Sequence, residues 1–162
     1  MPVPREFETE SGAPPLALVT GGARRIGAGF VRALAAAGWR AAIHAHGSAG
    51  DAEALAAALK ADGAPEPLVL VGDLADPAVP ARLAAAAGPD LRLLVNNASL
   101  FEEDALADFG PQLWARHLDV NLRAPALLIQ AFASGLPAGA RGLVVNILDA
   151  KLEAMNPDFF SY

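Results

Sequence analysis

LVTGGARRIG, residues 18–27, joins a short apolar run to the start of a helical pattern, and its reading decides the fold. Gly21, Gly22 and Gly27 permit a tight turn, and free amides at the start of the following helix attract phosphate. The run before the turn is LALV (16–19); the stretch after it, 26–37, repeats Ile26, Phe30 and Leu34 every four residues, which places them on one buried stripe.

The same alternation continues along the chain. AAIHA (41–45) precedes a helix over 51–61 with Leu55 and Leu59 on its inner face, and PLVLV (67–71) precedes one over 76–87. LRLLV (91–95) precedes a long helix over 111–134, and GLVVNIL (142–148) closes the series. Gly38, Gly63 and Gly88 follow the first three helices as C-terminal caps. Fully apolar strands alternating with helices predict an α/β fold: a doubly wound parallel sheet of order 3-2-1-4-5 with a ligand crevice where the order reverses. Function is then expected after strands 1, 4 and 5.

The 162 residues suffice for one domain with its own core. Hydrophobic residues make up 54% of the chain, yet 38 are alanines, so the score reflects small helix formers and no membrane-length apolar stretch. Residues 1–15 carry prolines and glutamates without periodicity and read as a disordered leader, leaving 16–162 as the folded domain. The absence of cysteine excludes disulfides and thiolate metal sites and fits a cytoplasmic protein. A net charge of −6 argues against nucleic acid as a partner but leaves a small phosphorylated ligand open. Neither a membrane nor a metal is expected.

An NAD site usually carries an acidic residue at the end of strand 2 to hold the ribose hydroxyl. Here that position reads HAHGS (44–48), with no carboxylate before Asp51. Arg24, Arg25, His46 and Ser48 offer donors to a 2′-phosphate instead, which predicts NADP, with solvated surface residues as the alternative. Asp73 and Leu74, after strand 3, suit an adenine edge and face, although Asp73 serves equally as a helix cap. VNNAS (95–99) concentrates amides and small side chains after strand 4, and Asn97, Ala98 and Ser99 join Gly21, Ile26 and Gly27 in the expected cofactor surface. In the long helix Pro125 lacks an N–H, which frees the carbonyl of Asn121 to bind water unless the proline is an ordinary kink. After strand 5, Asp149 stands thirteen residues before Tyr162 with a proline-containing loop between them. A phenol, with a reference pKa of about 10, needs a nearby cation to exchange protons near neutral pH.

Together these residues resemble the short-chain dehydrogenase/reductase family, whose TGxxxGxG turn, NNAG-like segment, helical Asn and Tyr-x-x-x-Lys motif occur in this order. The resemblance covers 16–162 and implies a Rossmann domain. Arg25 in place of the middle glycine, Ser99 in place of the last glycine of the NNAG-like segment, and Asp149 in place of a serine are similar to the pteridine-reductase and dihydromonapterin-reductase branch. The resemblance implies an NADPH-dependent reductase of a C=N bond in a pteridine or folate-like small molecule. It makes Tyr162 the proton donor, Asp149 a second acid, Asn121 the water holder, and Arg25 and Ser99 contacts to both cofactor and substrate. Phe101, seconded by Phe159, becomes the platform for the pterin ring, against the alternative of a core or lid phenylalanine. A ketoreductase acting on C=O and a nucleotide-binding fragment without catalysis are the competing readings. The motif lysine is expected four residues beyond Tyr162, together with the last strands of the family domain. A homotetramer, or at least a homo-oligomer, is expected of the full-length protein.

Overall fold

In a computed structural model, describing residues 3–150, 153 and 158–162, the strands are β1 (Leu16–Val19), β2 (Arg40–Ala45), β3 (Leu68–Val71), β4 (Leu91–Asn96) and β5 (Leu143–Asn146). They pair in parallel in the order β3-β2-β1-β4-β5, as the alternation of runs requires. Side chains alternate across a strand. Ala17 and Val19 therefore point to one face, under α1 (Arg25–Ala36) and α2 (Ala49–Ala61), where Val31, Ala35, Ile43, Leu55 and Leu59 complete a core. Leu16 and Leu18 point to the other face, under α3 (Val79–Ala87) and, beyond α4 (Pro111–Leu118), α5 (Ala124–Gly135), where Leu83, Leu94, Leu128 and Phe132 pack. Among the described residues no helix is long and apolar enough to cross a membrane.

Four expectations change. The buried stripe of α1 is Gly27, Val31 and Ala35, one residue on from the expected set. Phe30 and Leu34 only flank it, and Ile26 is 63% exposed beside the crevice. Close approach of the β1 turn demands Gly27 on the inside, and that contact fixes the rotation of the helix.

The helix expected from 76 begins at Val79, because the Asp76 carboxylate takes the Ala78 amide at 2.9 Å and the chain turns there first. The helix expected over 111–134 is divided by a π-helical turn, Asp119–Arg123, in which the Ala124 amide reaches back to the Asp119 carbonyl. Pro125 immediately follows this turn and cannot donate to Asn121, so the wider spacing falls where the α-ladder is already broken.

The described part of the leader is anchored at Phe7, Thr9 and Pro15, with most of its other residues exposed. Arg5–Phe7 forms a 3-10 turn, Phe7 is buried with its ring 5.4 Å from that of Trp39, and Thr9 Oγ1 donates to the Ala13 carbonyl at 2.6 Å. Burial of this aromatic side chain against Trp39 at the foot of β2 opposes part of the ordering entropy of the segment.

Candidate active site

The β1–α1 turn is gripped from three sides. Thr20 Oγ1 accepts the amides of Asn97 and Ala98 at 2.9 and 3.0 Å. Asn97 Nδ2 donates to the carbonyls of Thr20 and Gly21 at 2.8 and 3.2 Å. From β2, His44 accepts the Gly21 amide on Nδ1 at 3.2 Å and the Gly22 amide on its own carbonyl at 2.9 Å. Two glycine amides of the turn are thereby committed to His44, which leaves the amides at the start of α1 for a ligand. Asn97 likewise spends its amide within the protein, on shaping the turn.

Gly21 adopts φ +60°, and a Cβ on Gly27 would stand 2.2 Å from the Gly21 carbonyl oxygen. At the first position of α1, Arg25 holds φ +49°, a left-handed conformation that costs a non-glycine residue roughly 1–2 kcal/mol. The N-terminus of α1 has no side-chain cap and no acidic residue in its first turn, so its unsatisfied amides fit an anion such as a dinucleotide phosphate.

Beside this turn lie the residues read as 2′-phosphate ligands. Arg25 is exposed, while Arg24 places Nη2 and Nε 2.5 and 2.6 Å from Asp51 Oδ2 and is held by that carboxylate. His46 Nε2 is 3.9 Å from Asp73 Oδ2, and Ser48 sits at the N-cap of α2 without a side-chain cap bond. Asp73 Oδ1 accepts the Ala75 amide at 2.9 Å in a turn well before α3 begins at Val79, so it does not cap that helix. Leu74 is buried in the core at 4% exposure, so its side chain is not offered to an adenine face.

At the other end, a crevice of about 620 Å³ opens between the ends of β4 and β5 and the π turn, bordered by Ala98, Ser99, Asn121, Asp149 and Tyr162. Tyr162 Oη donates to Asp149 Oδ2 at 3.3 Å across the thirteen-residue interval. Asn121 clamps Leu100, accepting its amide and donating to its carbonyl, each at 2.8 Å. The sequence reading used the Asn121 carbonyl; the side chain has this separate work of holding the Ser99–Phe101 segment. Phe101 stacks on Phe159 at 4.0 Å with rings 11° apart and meets Tyr162 edge-on at 4.7 Å. Phe101 is 53% exposed, which settles against a core phenylalanine. The proline-containing part of the loop, with Pro157, lies outside the described residues.

Other residues of the site escaped the sequence reading. Asn96 Nδ2 donates to Asn146 Oδ1 at 2.8 Å, and Asn96 Oδ1 is buried beside the crevice without a described partner. Behind Tyr162, Asp104, His117 and Ser161 form a buried chain. The Glu102 amide donates to His117 Nε2 at 3.2 Å, so His117 Nδ1–H donates to Ser161 Oγ at 2.6 Å, and Ser161 Oγ–H donates to Asp104. Serine stands between the other two and donates its hydrogen bond to the carboxylate, so the composition of a hydrolase triad is present without its chemistry. Burial alone would raise the Asp104 carboxyl, but the Ser161 hydroxyl and amide, with His117 and the Phe160 amide, hold it below the usual carboxylate range.

The family model for short chain dehydrogenases matches residues 15–162. A solved structure of FolM alternative dihydrofolate reductase 1 from Brucella canis, complexed with NADP, is 41% identical and superimposes with a TM-score of 0.83 over 91% of this chain and 61% of that one. A 3-alpha-(or 20-beta)-hydroxysteroid dehydrogenase of Mycobacterium tuberculosis is 35% identical over 82% of this chain and 50% of its own length. Pteridine reductase 1 of Leishmania tarentolae is 41% identical over 42% of this chain and 24% of its own. The chain thus spans about half the length of the hydroxysteroid dehydrogenase it matches.

Proposed function

Because this chain belongs to the short-chain dehydrogenase family, we propose that it forms the NADP-binding part of a reductase that delivers hydride to a C=N bond of a pteridine or folate-like molecule. The observation that carries the reading is the hydrogen bond from Tyr162 to Asp149 beside the flat face of Phe101. The uncapped N-terminus of α1 holds the dinucleotide phosphates, and Arg25, His46 and Ser48 receive the 2′-phosphate. Arg24 enters only as its Asp51 pairing yields. NADPH, when bound, supplies the hydride.

Tyr162 supplies the proton and Asp149 holds or replaces it, while Phe101 stacks on the heterocycle. Phe159 occupies one face of Phe101, so it either moves aside or forms the other wall of a sandwich. Asn121 keeps Ser99 and Phe101 in place from below. A homo-oligomer of the longer protein accompanies this reading.

The test is a titration of NADPH and NADH on the chain, with Arg25→Gly and Ser48→Ala. A charge-assisted contact to phosphate is worth about 1.5–3 kcal/mol, so losing one costs roughly tenfold or more in preference for NADPH. Equal loss for both nucleotides removes the 2′-phosphate assignment. In the longer protein, Asp149→Asn is expected to abolish dihydropterin reduction while sparing NADPH binding. The similarity to the hydroxysteroid dehydrogenase supports a second reading, reduction of a C=O group, in which that variant reduces simple ketones undiminished.

A further inference from the structure

A single polar ring in the apolar strand β2 joins the two halves of the nucleotide site. His44 is 2% exposed. Because its Nδ1 accepts the Gly21 amide at 3.2 Å, the ring proton resides on Nε2, which donates to the Gly72 carbonyl at 3.0 Å. Gly21 belongs to the turn at the end of β1, whereas Gly72 directly follows β3 and precedes Asp73. The ring therefore spans three adjacent strands at their carboxyl ends, and its backbone carbonyl holds Gly22 as well.

We propose that His44 is a positioning residue that locks the phosphate-binding turn to the adenosine end of the site, and that it does so only as the neutral imidazole. The inference rests on the NADP reading of this crevice. One ring nitrogen must accept and the other must donate, so a proton on Nδ1 would set two donors, imidazolium and the Gly21 amide, against each other. Burial opposes that proton most strongly and the neighbouring His46 adds to the opposition, while the Gly72 carbonyl and Asp73 favour it; the net effect holds His44 below the ordinary histidine range. Acidification is then expected to release the turn and to weaken nucleotide binding.

The test titrates NADPH against the chain, followed by the fluorescence of the nucleotide, at neutral and acidic pH. Wild type is compared with His44→Leu, which lacks both ring contacts, and His44→Asn, whose Oδ1 branches where Nδ1 does and keeps the acceptor for Gly21 alone. His44→Leu is expected to weaken NADPH about tenfold at neutral pH, the equivalent of one lost buried hydrogen bond, and His44→Asn less. Acid-side loss common to all three proteins belongs to other groups, and the loss that wild type shows in excess of both variants belongs to His44.

Wild-type affinity in His44→Leu, or the same pH profile in all three, overturns the proposal, as does a lowered melting temperature with unaltered affinity. Should His44→Leu fail to fold, the profile of His44→Asn decides alone. A wild-type chain that binds neither nucleotide defeats the cofactor reading instead; the lock is then judged by hydrogen exchange of the Gly21 amide, which must quicken in His44→Leu but not in His44→Asn.

Discussion

The two ends of the crevice are built on opposite principles. At the nucleotide end, Thr20, His44 and Asn97 bind the turn through backbone groups of three neighbouring strands, and the buried strand ends leave it no freedom to adjust. At the substrate end, Phe101, Phe159 and Tyr162 come from connecting segments and meet through ring contacts. The cofactor end is therefore preorganised before any ligand arrives, while the substrate end can open by sliding aromatic faces at small cost. Substitutions that touch the packing or hydrogen bonds of the turn are expected to be severe and local; those at the second end, or of exposed side chains such as Arg25, should be milder.

The severest test of the rigid end is Gly27→Ala. Its Cβ would meet the Gly21 carbonyl oxygen at 2.2 Å and Asn97 Nδ2 at 2.6 Å, neither of which can retreat without breaking the turn. A loss of about 3 kcal/mol in thermal or denaturant unfolding is expected, with NADPH binding abolished. Gly29→Ala, two residues on in the same helix, meets nothing within 4 Å and serves as the control, with an expected gain of about 0.5–1 kcal/mol from the better helix propensity of alanine. A Gly27→Ala protein with normal stability would show that the turn yields.

Thr20→Val comes next. It retains shape but removes the oxygen that accepts two amides and donates to the Val95 carbonyl at 3.3 Å, leaving both part-buried amides without that partner. About 2 kcal/mol should be lost, and Thr20→Ser should recover most of it.

Sequence alone exposed much of this design. The strand order followed from apolar runs alternating with helices, and the candidate acid pair of Asp149 and Tyr162 from the family resemblance. What it hid were contacts whose partners lie far apart in sequence: Thr20 with Asn97, His44 with Gly72, and Asp104 with Ser161. Such pairs depend on strand register and helix rotation, which hydrophobic periodicity leaves open by a residue, as the shift from Ile26 to Gly27 on the inner face of α1 illustrates. One signal was visible: His44 is the only polar residue in the run 41–45, where a polar side chain must find partners or be expelled.

At the flexible end, Asp104 gives a prediction in pH. Its carboxyl is held below the usual range in the folded chain, so the unfolded chain binds the proton first as pH falls. The stability it contributes is present above the unfolded carboxylate value of about 4 and is lost as pH drops through the lower folded value. Asp104→Asn should flatten that acid limb in urea melts recorded across the range, with Ser161→Ala doing so in part. An unchanged acid limb in Asp104→Asn would remove Asp104 as its source.

The smallest effect is expected at Arg25, where two terms of similar size oppose each other. Arg25→Gly relieves the positive φ of 49°, a gain of roughly 1–2 kcal/mol. The greater backbone freedom of glycine in the unfolded chain takes back about 0.5–1 kcal/mol. The net gain should be within about 1 kcal/mol, read as a small rise in the denaturant midpoint with no change in slope. Arg25→Ala separates the terms, since it removes the guanidinium but keeps the strain, and it should be no more stable than wild type. If Arg25→Gly were instead destabilised by as much as Thr20→Val, the arginine side chain would be holding the turn together. The strained backbone would then be a consequence of that contact rather than the cost of presenting a cation to the crevice.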